Sequence, residues 1–299
     1  MKNLWKGFML LFVCFLLVAC NKGATQTNED PSENEGIGQE EKQKDKKEGK
    51  KSSSENEKNE KNVQDFMNKV MDATQEMKSY TLEMTLEHEF SDTSGEVAKT
   101  TAKTTMDIVT DPLGFYQKME MKIIANDQEQ TTVTEAYYTE DGFYMSSPFS
   151  GQWLKMPGEM MEKNIDVNAF QTNPFSQVEL ISNYIDLISI EEDPSHYILR
   201  IKGKDKSFER LIRAFGQSNP EENPRNSFVE MNIQSFDFAF YYDKANYFPI
   251  KSELSAVFVI DSDDSSTTIK QFSTGTYSNI NQFDKINIPD HVKNNFVEF

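Results

Sequence analysis

The chain has 299 residues and a formal net charge of −18, with 49 acidic against 31 basic side chains. A surface this acidic repels a phosphate backbone, which argues against nucleic acid as a partner. The two cysteines, Cys14 and Cys20, both fall within the first twenty residues, so the bulk of the chain cannot rest on a disulfide framework.

Lys2 and Lys6 give a positive start, Phe8 to Val18 is almost wholly apolar, and Leu17-Val18-Ala19-Cys20 follows. An apolar run of roughly 11 residues is too short to span a bilayer, which takes about 20. It fits the core of a secretory signal with the small Ala19 at the cut. The quartet resembles a bacterial lipobox. That resemblance implies a signal peptide over 1–19, a diacylglyceryl group on the Cys20 thiol, and Cys20 as the new first residue. The membrane is then a partner through lipidated Cys20, on the outer face of the bacterial cytoplasmic membrane. The other reading is an ordinary secretory signal with a chance cysteine. Each buried methylene adds roughly 0.8 kcal/mol to membrane retention, so two or three acyl chains anchor stably. With Cys14 removed and Cys20 consumed, no thiol remains for catalysis or metal ligation. Loss of Lys2 and Lys6 takes the charge from −18 to about −20.

Residues 20–62 read as the lipidated cysteine and a charged tether. The segment after Cys20 has no aromatic residue, and Ile37 is its one large aliphatic. It cannot bury enough apolar surface to offset its ordering entropy, so disorder is expected, with at most a fleeting Glu/Lys helix. The 237 residues from 63 to 299 are ample for one domain.

"VQDFMNKVMDATQEMKS" predicts the opening helix, with Val63, Phe66, Met67, Val70 and Met77 on one stripe and Met71 widening it. The period then switches to two. In "SYTLEMTLEHEF", Tyr80, Leu82, Met84, Leu86, His88 and Phe90 share one face against Thr81, Glu83, Thr85, Glu87 and Glu89. "VAKTTAKTTMDIVT", "FYQKMEMKII", "QTTVTEAYYT", "FYMSS" and "GQWLKM" continue the alternation, parted by short turns. This is an antiparallel meander. "NPFSQVELISNYIDLIS" predicts a helix with Asn173 at the cap, Pro174 in the first turn, and Phe175, Val178, Ile181, Ile185 and Ile188 as its stripe. "HYILRIKG" is a short strand, "DKSFERLIRAFG" a helix, and "QSNPEENPRNS" a loop. "FVEMNIQSFDFAFYYD", "FPIKSELSAVFVID" and "STTIKQFSTGTYSNI" form a second meander, and "FDKINIPDHV" closes the chain.

No chemical signature emerges. The three histidines, His88, His196 and His291, are far apart in sequence, and His88 on an apolar strand face reads as a core residue. Zinc spacing, a phosphate loop and a nucleophile elbow are all absent from the pattern. "DSDDSS", with Asp261, Asp263 and Asp264, lacks the glycine and distal glutamate of a calcium loop and reads as a hairpin turn. The expectation is a non-enzymatic protein with no catalytic residues, no metal and no cofactor.

The predicted fold class is α+β, a strongly curved antiparallel sheet, or unclosed barrel, with helices covering the concave face. Such a sheet closes as packed core or leaves a pocket, and periodicity does not separate the two. The order of elements, the "Y-x-x-D-G-x-Y" hairpin (Tyr138, Asp141, Gly142, Tyr144), Gly151 and Trp153 before Lys155, "YYDKANYFPIKSE", and the closing Ile286, Ile288 and Pro289 resemble the lipoprotein-carrier fold. That group takes in the outer-membrane lipoprotein carrier, mycobacterial lipid-binding lipoproteins and uncharacterised lipoproteins of Firmicutes. The resemblance implies a single domain over 63–299 with a hydrophobic cavity for a lipid or other apolar ligand. The candidate walls are Met67, Val70 and Met71 of the first helix, Leu82, Met84 and Met121 of the sheet, and Ile181 and Ile185 of the middle helix. The competing readings are packed core for each of these residues, and a partner-binding or regulatory envelope lipoprotein with a solid interior.

Overall fold

In a computed structural model the described residues are 52–93, 95, 97–126, 128–156, 174–203, 211, 231–262 and 265–298. The signal peptide, Cys20, most of the tether, Asn173, the segments 157–173 and 212–230, and Asp263 and Asp264 lie outside them. So does the predicted helix near 206–215 apart from Leu211, which is buried. Glu60–Phe299 forms one compact unit.

The first helix, α1, runs Ser52–Gln75 and so begins eleven residues before the expected start. Residues 52–62 contain no Gly or Pro to break a helix, and five of the eleven are Glu or Lys, which are good helix formers. Upstream composition that reads as disordered in isolation is therefore compatible with extending a helix already held by its neighbour. Val63, Phe66, Met67, Val70 and Thr74 are its buried positions, the three- and four-residue steps of one helical stripe, and Met77, just past its end, is buried too. No glycine stops the helix. Instead Lys78 N donates to Asn281 Oδ1 at 2.6 Å while Asn281 Nδ2 donates to the Glu76 carbonyl at 3.0 Å, so a residue 203 positions on closes the helix end.

Six strands follow: β1 (Ser79–Asp92), β2 (Val97–Thr110), β3 (Leu113–Ala125), β4 (Gln128–Thr139), β5 (Gly142–Ser146) and β6 (Trp153–Met156). Gly142, at φ +126°, makes the tight β4–β5 turn where a side chain is disfavoured. Helix α2 (Pro174–Ser182) comes next, then a 3₁₀ turn at Ile185–Leu187. The expected helix ends early because Ser182 and Asn183 donate side-chain hydrogen bonds to the Glu179 and Leu180 carbonyls. Ile188, expected on the helix stripe, therefore opens a strand, β7 (Ile188–Glu192). The second meander is β7, β8 (His196–Gly203), β9 (Met231–Asp243), β10 (Pro249–Ser262) and β11 (Ser265–Ser278). A short helix α3 (Asp290–Lys293) and a strand β12 (Phe296–Glu298) end the described chain.

All twelve strands form one sheet in the order β12-β6-β5-β4-β3-β2-β1-β11-β10-β9-β8-β7, which does not close. The two meanders join where β1 pairs with β11, Leu86 facing Ser273. Every pair is antiparallel except β12 with β6, which is parallel, so the sheet is mixed and not purely antiparallel as expected. The fold is mostly β.

The cover over the apolar face is narrower than expected. The main core joins Val63, Phe66, Met67 and Val70 of α1 and Val178 and Ile181 of α2 to inward residues of β7–β11, including Leu199, Phe236, Phe240 and Ile269. It contains no residue of β2, β3 or β4. Helix α3 sits instead on the opposite face. Val292 and Ile288 pack there with Tyr144, Tyr137, Trp153 and Phe296, whose register places them with the outward residues of β4–β6. The rest of that outer face is wet. Glu89 on β1 accepts from Lys99 on β2 at 3.0 Å and from Lys270 on β11 at 2.9 Å, and Lys118–Glu135 and Lys122–Glu129 continue the cross-strand pairs.

Candidate functional site

The register lays out the inward face of the sheet in rows. One runs Thr134, Met119, Thr104, Met84, Gly275, Ser252 and Phe240 across seven strands. The next runs Thr132, Met121, Ala102, Leu86, Ser273, Leu254 and Phe238, and the next Gln130, Ile123, Thr100, His88, Gln271, Ala256 and Phe236. At β9 these rows end in the aromatic residues Phe240, Phe238 and Phe236, which pack in the core with α1 and α2. On the β2–β4 side they alternate threonine with Met and Ile. Strand periodicity puts these residues on one face, and threonine suits a pleated surface that is neither fully dry nor fully wet.

The candidate walls divide. Met67, Val70 and Ile181 are completely buried in the main core, with Met71 and Ile185 packed against it. Leu82 belongs to a second cluster with Met77, Tyr80, Met106, Ile108 and Tyr277. Met84 and Met121 are half-buried, on adjacent rows of the inward face. The structure thus places Met84 and Met121 on the same face of the sheet, two strands apart, and holds Met67, Val70 and Ile181 in close-packed core. Cys20 is outside the described residues.

Ile123 continues the Met84–Met121 side toward the ends of β3 and β4. A depression of about 580 Å³ opens there, lined by Ile123, Ala125, Gln128, Glu129 and Gln130. His88 lies in the same row as Ile123, two strands away, with its ring 5.7 Å from that of Phe90. Burial pushes the imidazole below its ordinary value, and a side-chain hydrogen bond with Gln271 pulls partly the other way. Its neutral form is therefore the stable one inside the sheet. Gly275 faces Met84, and a Cβ there would lie 2.8 Å from Ser252 Oγ and 3.5 Å from Leu82 Cδ1, so the backbone is closely approached at the point where the two halves meet.

At the same junction three tyrosines are buried on the inward side: Tyr80 of β1, Tyr277 of β11 and Tyr242 of β9. The Tyr80 and Tyr277 rings lie 6.1 Å apart. Burial pushes all three phenols well above their ordinary range. None was singled out as a site residue from sequence. The signal was present in "FDFAFYYD", whose inward residues run Phe236, Phe238, Phe240 and then Tyr242.

Among the described residues no group of three or more His, Cys, Asp or Glu side chains is placed to hold a metal ion, and no helix is long and apolar enough to cross a membrane.

The model of a family of unknown function, DUF6612, matches residues 62–297. The chain belongs to DUF6612. The DUF6612 match takes in every residue from β1 through β11, leaving outside it the first ten residues of α1. Comparison with curated proteins gives no match. Among solved structures, this DUF6612 chain is similar to LprF from Mycobacterium bovis, at 12% identity over 77% of this chain and 96% of that one, with a TM-score of 0.38. It is also similar to a beta-barrel-like protein of domain of unknown function DUF1849 from Brucella abortus, at 11% identity over 67% of this chain and 97% of that one, with a TM-score of 0.19. Both scores fall below one half, and neither likeness carries an argument about this chain's ligand.

Proposed function

We propose that the chain is a membrane-anchored extracytoplasmic lipoprotein that binds or carries an apolar ligand, a lipid or lipid-linked molecule, without covalent chemistry. Cys20 is the lipidated residue and holds the domain at the outer face of the bacterial cytoplasmic membrane. The observation that carries the ligand reading is the division of the inward face. Helices α1 and α2 pack over β7–β11, while Met84 and Met121 stay half-buried on a part of the inward face that this core does not include. Methionine is soft and polarizable, and adapts to apolar guests of irregular shape.

A second reading has one observation in its favour. Phe149, in the β5–β6 connection, is 87% exposed, an apolar tip of the kind a protein partner covers. In that reading the lipoprotein is a partner-binding or regulatory protein with a solid interior.

Native mass spectrometry and organic extraction of the protein made in cells that supply lipids separate the two. A stoichiometric lipid, retained through purification and lost in Met84→Glu or Met121→Glu while the far-ultraviolet spectrum is unchanged, supports carriage. A folded chain that stays empty when challenged with lipid turns the reading to the partner-binding lipoprotein. Ile181→Glu is the wrong probe, because a charge at a completely buried position unfolds the core. Incorporation of labelled acyl groups, abolished by Cys20→Ala, tests the anchor.

A further inference from the structure

Tyr242 is completely buried, and its hydroxyl has no hydrogen-bond partner among the described residues. It lies under α1, its ring 5.7 Å from that of Phe66 and 5.9 Å from that of Phe240. The inward residues before it on β9 are phenylalanines at 236, 238 and 240. A fourth phenylalanine would fill the same volume without the hydroxyl. An unpaired phenol in an apolar interior raises the free energy of the folded state, because the group has given up its water and gained nothing. Such groups are uncommon in natural structures, and a role in function is one reason they are kept.

We propose that the Tyr242 hydroxyl is a hydrogen-bond donor for the bound molecule, selecting apolar ligands that carry a neutral acceptor oxygen, such as an ester or other carbonyl, over plain hydrocarbon. This rests on the apolar-ligand reading above. The acceptor is neutral because, among the described residues, no cation acts on the Tyr242 phenol, and the desolvation of a carboxylate buried here exceeds what one phenol returns. Burial keeps the phenol protonated, and so a donor, throughout the physiological range. Tyr242 lies on β9, three strands from Met84 on β1, a span of about 14 Å at ordinary strand spacing. An acyl chain resting on Met84 has the length to place its carbonyl at Tyr242 once Phe66 of α1 moves aside.

The test uses the full chain stripped of lipid, loaded with the neutral fluorophore N-phenyl-1-naphthylamine, and displaced by methyl palmitate or by n-nonadecane, a hydrocarbon of the same heavy-atom count. The expected result is that the ester displaces about tenfold better than the hydrocarbon, the size of one net hydrogen bond. In Tyr242→Phe that preference vanishes while hydrocarbon affinity is kept, and the empty variant melts at a higher temperature than the parent. An equal preference in parent and variant, or no preference in the parent, overturns the assignment of Tyr242 and leaves the apolar-ligand reading standing. A lower melting temperature in the empty variant also overturns it, since the hydroxyl then has a partner in the free protein, such as an internal water. Failure of both probes and the fluorophore to bind removes the apolar-ligand reading and this inference with it.

Discussion

His88 shows what a single inward residue does to the behaviour of the whole sheet. Its imidazole is held below the ordinary value of 6.5, first by burial. Between that lowered value and about pH 6.5 the unfolded chain holds a proton that the folded chain does not, so stability falls as the pH is lowered through this window. His88→Gln is expected to flatten the fall in melting temperature between pH 7.5 and 5.5. An unchanged slope would show that the loss comes from another group. The carboxylates act in a lower window. Lys270 and Lys99 hold Glu89 below its ordinary value, and Lys251 and Tyr241 do so for Glu253, so their contribution is present at neutral pH and lost as the pH falls below the ordinary carboxylate range. Sequence placed His88 correctly on the apolar face but carried no sign of Gln271, which becomes its neighbour only through the β1–β11 pairing.

At the scale of elements, α1 is held by its aromatic contact as much as by its aliphatic stripe. The Phe66 ring stands edge-on to Tyr197, Tyr242 and Tyr247 at 5.4, 5.7 and 6.0 Å. Tyr197 and Tyr247 stack with only 9° between their planes, and Tyr247 adopts φ +61°, a left-handed conformation costly for a tyrosine. Lys69 of α1 lies 5.3 Å over the Tyr247 ring. Phe66→Ala is expected to cost about 3–5 kcal/mol, seen as a lower denaturation midpoint with loss of the α1 helical signal. A cost below about 1 kcal/mol would mean that α1 is not docked in solution. The buried stripe of α1 and the face of each long strand were legible from spacing alone. What was not legible depends on remote partners. The helix end at Gln75 is closed by Asn281, β7 is separated from α2 by side-chain bonds of Ser182 and Asn183, and α3 chooses the outer face because Ile288 and Val292 meet Tyr144 there. The candidate site was legible in the same measure. Met84 and Met121 were placed on the right face, but the depth of Met67, Val70 and Ile181 depends on how α1 and α2 dock, which periodicity does not encode.

Across the whole molecule, the join between β1 and β11 governs how the sheet is completed. Thr81 pairs with Ser278, 197 positions later. A chain ending after Asp261 keeps the helix and the first meander but lacks the strand that unites the halves. It is expected to sediment as soluble aggregates where the full chain is monodisperse. A monodisperse truncated chain would show that the first meander is self-sufficient.

The order of synthesis gives that join a temporal meaning. β1 is among the first strands made and β11 among the last, yet they are neighbours in the middle of the sheet. From the time β2 pairs until β11 arrives, the other edge of β1 is open, with 12 backbone partners still to come. Such long-range pairing folds slowly, and an open edge recruits strands from other chains. The wait lasts while every residue between β2 and β11 is made, so a growing chain is most vulnerable in the middle of its sheet, and shielding that edge until β11 emerges is a task for a holdase.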